Sequence, residues 1–138
     1  MGGSKATVLC IDDDGAGLEA RKKVLEISGY RVLTARSGEQ GLELFVSHRI
    51  DAVILDYQMP GMNGDRTANQ MKRIRPNVPI VMLSGNDGLL LNDTSCVDAV
   101  LRKGESWATV LSTLDRLLTL RFPFFARWWE DWKHQLSE

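Results

Sequence analysis

Four residues, Ala52-Val53-Ile54-Leu55, narrow the fold class of this chain more than any others. The run is too short for a helix and rich in β-branching, so it reads as a strand buried on both faces. It stops at Asp56, a carboxylate where the strand should leave the core. Met59-Pro60-Gly61 and Asn63-Gly64 then punctuate a tight loop. In open α/β sheets, ligands bind beyond the carboxyl ends of the strands. The fold class therefore turns on whether other strands end beside Asp56.

Four further apolar runs qualify. Thr7–Ile11 ends on Asp12-Asp13-Asp14, and Arg31–Ala35 forms another strand. Val78–Leu83 stops at Ser84-Gly85-Asn86, and Ala99–Leu101 stops at Arg102-Lys103-Gly104. Helical patterns separate them. Leu18, Val24 and Leu25 recur at helical spacing with Arg21, Lys22 and Lys23 interleaved, and Gly29 offers a C-cap. Ser37 and Gln40 form a capping-box pattern before Leu42, Leu44, Phe45 and Val46. Gly64 opens a third helix with Thr67, Met71 and Ile74 on one face, ended by Pro76. Gly88–Asp93 has room only for a short helix. Ser106 caps a last one, with Trp107, Val110, Leu111, Leu114, Leu117 and Leu118 as its apolar stripe. Five β-α repeats imply a doubly wound parallel sheet with right-handed crossovers and helices on both faces.

Composition excludes several classes. The 138 residues, 43% hydrophobic and 25% charged, suit one soluble domain. A formal net charge of -1 gives no nucleic-acid footprint. No apolar run approaches the roughly 20 residues of a membrane span, and no apolar segment of a secretory signal follows the N-terminus. Residues 1–4 read as a flexible start. Cys10 and Cys96 make no metal-binding spacing and read as reduced thiols, as in a cytoplasm.

In a parallel sheet the strand exits share one edge, which gathers Asp12, Asp13, Asp56, Ser84 and Lys103. Clustered carboxylates repel, so one must be protonated or a cation must join them. A hard dication with oxygen ligands, Mg2+, meets that need. A metal, an exposed carboxylate, a hydroxyl and a lysine suit a phosphoryl group. Asp56 is then the nucleophile that forms an acyl phosphate. The metal and Lys103 neutralise the transferring oxygens, and Ser84 hydrogen-bonds one of them. Asp14 reads as a cap on the first helix. The acidic loop is unlike the Ser/Thr/Gly cradle of a flavin carrier.

Over residues 5–120 the chain resembles the receiver domain of bacterial two-component response regulators, in its stand-alone chemotaxis-regulator form. The resemblance rests on Ile11-Asp12-Asp13, on Asp56-Tyr57-Gln58-Met59-Pro60-Gly61-Met62-Asn63-Gly64, on Met82-Leu83-Ser84-Gly85, and on Lys103. It implies a flavodoxin-like (βα)5 fold with strand order 2-1-3-4-5. It implies phosphorylation of Asp56 by the phosphohistidine of a sensor histidine kinase or phosphotransfer protein, which switches contacts with a downstream protein. It also implies Mg2+ held by Asp13, Asp56 and the backbone carbonyl of Gln58, with Asp12 acting through water. Such a protein catalyses only its own aspartyl phosphorylation and dephosphorylation.

Three departures fall on the surface formed by the family's fourth helix, fifth strand and fifth helix. Val100 stands where the family usually has an aromatic switch residue. Lys103-Gly104 replaces the usual Lys-Pro. The span from Ser84 to Lys103 is shorter than is typical. These leave open a second reading, a phosphorylation-independent interaction module. Residues 121–138 form an aromatic extension in which Phe125, Trp128, Trp129, Trp132 and Leu136 share helical spacing after Pro123. That extension could pack on its own domain or across a homodimer, or dock a partner. Glu130 and Asp131 offset Arg127 and Lys133, which argues against a membrane surface. His48 and His134 read as surface residues.

Overall fold

The computed structural model describes residues 6–85 and 96–121. Five strands, β1 (Thr7–Ile11), β2 (Arg31–Ala35), β3 (Ala52–Asp56), β4 (Ile80–Ser84) and β5 (Ala99–Arg102), form one sheet in the order β2-β1-β3-β4-β5. Every pairing is parallel. Among the described residues three helices connect successive strands, α1 (Gly15–Ile27), α2 (Gly38–Ser47) and α3 (Gly64–Ile74), and α4 (Trp107–Arg121) follows β5. This is the flavodoxin-like doubly wound arrangement. The expected short helix at Gly88–Asp93, residues 1–4 and the aromatic extension after Arg121 lie outside the described residues.

Strand side chains alternate between faces, which splits the core into two layers. Val8 and Cys10 of β1 join Leu18 and Leu25 of α1 and Val110, Leu114 and Leu118 of α4. Leu9 and Ile11 join Phe45 of α2 and Ala68 and Met71 of α3 on the other face. All five residues of β1, of β3 and of β4 are buried, as two-sided strands require.

The caps follow the sequence. Asp14, Ser37 and Asn63 accept backbone N–H groups at the starts of α1, α2 and α3, and Ser106 Oγ accepts the Thr109 N–H at 3.2 Å. Gly29 follows α1 at φ +103°, in the left-handed region that closes helices. Among the described residues no helix is long and apolar enough to cross a membrane. Cys10 is buried and Cys96 half-buried.

Four expectations are corrected. β4 begins at Ile80, not Val78, because the Val78 N–H closes a turn on Arg75 O and ladder pairing starts where the Val53 N–H meets Pro79 O. Ile74 is 46% exposed. At 100° per residue it lies at the margin of an α3 face made by Gly64, Thr67, Ala68 and Met71. Trp107 is 39% exposed, since it opens α4 and its side chain points back past the helix start. Arg21, which interleaves with lysines in the sequence, is buried between Leu18 and Leu25.

Candidate functional site

The site is built where the first, third, fourth and fifth strands end. β1 runs out at Ile11, and the Asp12 N–H still reaches Ala35 O at 3.1 Å. That last sheet bond leaves the Asp12 side chain at the edge, 2% exposed. Asp56 closes β3 opposite Leu83, and its side chain is also buried. Ser84 closes β4, buried, and its carbonyl accepts the Lys103 N–H at 2.9 Å. That bond fixes the backbone from which Lys103 reaches back across β4. Its Nζ lies 3.0 Å from Asp56 Oδ2.

The loop after Asp56 turns at once. The Gln58 N–H points at Asp56 Oδ1 at 3.3 Å, and the Gly64 N–H returns to Tyr57 O at 2.9 Å. A β-carbon at Gly64 would stand 2.7 Å from the Asp56 carbonyl oxygen, so only glycine permits this return. Asn63 then starts α3 directly beneath the loop, its Oδ1 accepting the Arg66 N–H at 3.0 Å. Gln58 itself is exposed.

Asp12, Asp13 and Asp56 each bring an oxygen within 4.8 Å of the others. Asp13 is the member open to solvent. Burial pushes the Asp56 carboxyl up from 3.8 to about 6, and the neighbouring Asp12 charge adds to the rise. Lys103 works in the opposite sense. Asp56 Oδ2 is buried and has the Lys103 charge beside it without an aligned hydrogen bond. An all-oxygen donor set with such an underused buried oxygen fits a hard divalent cation.

Two cations outside the predicted site, Arg21 and Arg36, belong to this neighbourhood. Arg21 Nη1 lies 3.3 Å from Asp12 Oδ2. Arg36, just past the end of β2, donates from Nη2 to Asp13 O at 2.9 Å. The signal for Arg21 was its offset of three from Leu18 and four from Leu25, which puts it on the inward stripe. The signal for Arg36 was its place at a strand exit. His48 caps α2, its N–H reaching Leu44 O at 3.0 Å and its Nδ1 lying 2.9 Å from Ser47 Oγ, with no contact to the acidic cluster among the described residues. Asn86, His134 and the extension lie outside the described residues.

A doubly wound parallel sheet with a compact acidic, oxygen-only cluster and a lysine at its carboxyl edge defines a class of α/β proteins with an acidic site at the strand ends. Comparison with known proteins narrows that class. Residues 8–99 match the response regulator receiver domain, and the chain belongs to that family of two-component signalling proteins. It is 35% identical over 82 residues to the response regulator MprA of Mycolicibacterium vanbaalenii, a match covering 59% of this chain and 36% of that protein. It is 37% identical over 82 residues to the autoinducer 1 sensor kinase/phosphatase LuxN of Vibrio campbellii, covering 59% of this chain and 10% of LuxN. The matched part thus spans about a third or less of those curated relatives. Among solved structures, the receiver domain from Clostridium thermocellum is 30% identical with a TM-score of 0.80, covering 86% of this chain and 98% of that one. The response regulator TrrA of Thermotoga maritima, solved with Mg2+ and BeF, is 26% identical with a TM-score of 0.77, covering 81% of this chain and 98% of that one.

Proposed function

We propose that this chain is a phosphoacceptor in two-component signalling, with Asp56 taking a phosphoryl group from a phosphohistidine of a sensor kinase or phosphotransfer protein. One observation carries the reading. The Asp56 carboxylate is buried, with the Lys103 ammonium at 3.0 Å and two further carboxylates within 4.8 Å. A carboxylate so placed is held in a cluster that needs an added dication and can take one. The TrrA relative with Mg2+ and BeF supports the same use of the fold.

Asp13, Asp56 and the Gln58 carbonyl would hold Mg2+, with Asp12 behind a coordinated water. The ion would shield negative charge on the phosphoryl oxygens. An Asp56 oxygen attacks phosphorus, the P–N bond to imidazole breaks as the P–O bond forms, and the leaving imidazole takes a proton from solvent. Lys103 offsets charge on the phosphoryl oxygens, and the Ser84 hydroxyl donates to one of them. The protein performs this chemistry on itself and acts on no other substrate. Residues 5–120 form the receiver, which works in a reducing, cytoplasmic compartment.

Val100 pairs with Met82 and packs as a half-buried aliphatic residue against the core layer of α2 and α3. It has no ring to swing toward Ser84, so the signal leaves by another surface, with the aromatic extension as the contact to a downstream protein or a second copy. The test is uptake of beryllofluoride or a small phosphodonor in the presence of Mg2+. Wild type takes up one equivalent and Asp56→Ala none. Equal uptake by the two proteins, or none by wild type, would overturn the reading.

A further inference from the structure

Arg21 occupies a costly place. It lies on the buried face of α1 between Leu18 and Leu25, its side chain 10% exposed, and its charge faces a carboxylate that is 3% exposed. A buried ion pair contributes little net stability, because desolvation of two charges offsets their attraction. A leucine would fill the stripe at no such cost. The reason for an arginine here is therefore to be sought in its partner, Asp12.

Asp12 is held from two sides. Its Oδ1 accepts the Asp14 N–H at 3.0 Å, and its Oδ2 pairs with Arg21 Nη1 at 3.3 Å. Both oxygens have donors from the protein itself, so the carboxylate is oriented by the fold. Charge is set by the same contact. Asp12, Asp13 and Asp56 bring three negative charges, and the two cations paired with carboxylate oxygens, Lys103 and Arg21, bring two positive ones; Arg36 bonds only the Asp13 backbone carbonyl and is common to both sides of the comparison. The cluster keeps one net negative charge to offer a dication, where it would otherwise keep two.

We propose that Arg21 is a positioning residue for the divalent cation: it ties Asp12 back from direct coordination and lowers the affinity of the site. This rests on the metal-site reading above and deepens it. A weakly held ion leaves the site responsive to whether metal and phosphoryl group are present together. Removing a unit charge beside the site should tighten dication binding on the order of tenfold. The direction is opposite to that expected of a merely structural residue, whose loss would loosen Asp12 and weaken binding.

The test is a calorimetric titration of the full chain with MgCl2, comparing wild type, Arg21→Gln and Arg21→Lys. Arg21→Gln should bind about tenfold more tightly, and Arg21→Lys, which keeps the charge, should stay close to wild type. Should Arg21→Gln be partly unfolded without metal, its thermal midpoint is followed against MgCl2, and stabilisation should begin at about tenfold lower concentration than in wild type. Binding by Arg21→Gln equal to or weaker than wild type overturns the proposal while leaving the metal site standing. So does an Arg21→Lys that matches Arg21→Gln. A wild type that binds no Mg2+ removes the metal-site reading itself, and this proposal with it.

Discussion

Lys103 Nζ lies 3.0 Å from Asp56 Oδ2, across the end of a strand that neither residue belongs to. Lys103 follows β5 and Asp56 ends β3, with β4 between them. The lysine is 39% exposed in its side chain and the carboxylate 1%, so the ammonium brings solvent-side charge to a buried acceptor. An incoming phosphoryl group would find that charge already in place. Replacing Lys103 by Met should slow phosphodonor uptake at Asp56 by about 100- to 1000-fold, the scale for removing one preorganised stabilising group from a reacting site. Asp56 would remain the acceptor. Rates followed with a small phosphodonor and saturating Mg2+ test this, and an unchanged rate would remove Lys103 from the chemistry.

The same carboxylate is a liability to the metal-free fold. Its pKa rises from 3.8 to about 6, mainly through burial. A raised folded-state value means the associated stability is present below about pH 4 and lost as pH rises through about 6. At neutral pH the ionised group therefore destabilises the fold. Asp56→Asn should raise metal-free stability by roughly 1–3 kcal/mol at pH 7, from the scale of about 1.4 kcal/mol per pKa unit. Lys103 loses its partner but is exposed enough to be solvated. The advantage should shrink as pH falls toward 4, and the stabilisation by Mg2+ expected of wild type should be absent in Asp56→Asn. Thermal melts across that pH range, with and without MgCl2, check all three outcomes.

Much of this edge was legible in the sequence because each residue stands where an apolar run stops. Asp12, Asp56 and Ser84 close or follow two-sided strands, and a parallel sheet can only gather them. Lys103 follows the shorter β5 by the same logic. Arg21 was hidden because helical arginines among lysines ordinarily face water. Here a tertiary partner, Asp12, offsets part of the cost of burying the charge, and no local pattern announces that. The start of β4 lies two residues later than the apolar run suggests. Val78 is apolar and buried, but its N–H is spent on a turn to Arg75.

A second carboxylate acts on the fold alone. Asp98 Oδ2 accepts the Ile80 N–H at 2.8 Å and pairs with Lys72 Nζ at 2.7 Å. Lys72 also donates to Val78 O at 2.8 Å, so one ammonium ties α3 to the entries of β4 and β5. Both side chains are partly exposed, which limits the Coulombic share. The Ile80 N–H, opening a buried strand, carries more. Asp98→Ala should destabilise by about 1–3 kcal/mol through that unsatisfied donor. Asp98→Asn, which keeps an acceptor oxygen, should cost less than half as much. Urea unfolding of the two variants separates the contributions, and equal losses would place the effect in the charge instead.

Alkaline unfolding should begin at one buried acid, Cys10, and one half-buried acid, Tyr30. Burial pushes the Cys10 thiol from 9.0 up to about 12, with Arg21 opposing the rise, and it pushes the Tyr30 phenol from 10.0 to about 12, with Asp115 adding to it. Both keep their protons longer when folded. The stability they lend is complete below pH 9 and falls as pH rises toward 12, because the unfolded chain ionises first. Over that window the unfolding free energy should decline by up to about 1.4 kcal/mol per pH unit for each group. Cys10→Ala and Tyr30→Phe should each flatten the decline. Cys10 should also resist thiol reagents at pH 8 until the chain unfolds, since a buried neutral thiol is a poor nucleophile. Labelling of native protein at Cys10 as fast as in urea, located by peptide mapping, would contradict its place in the core layer of α1 and α4.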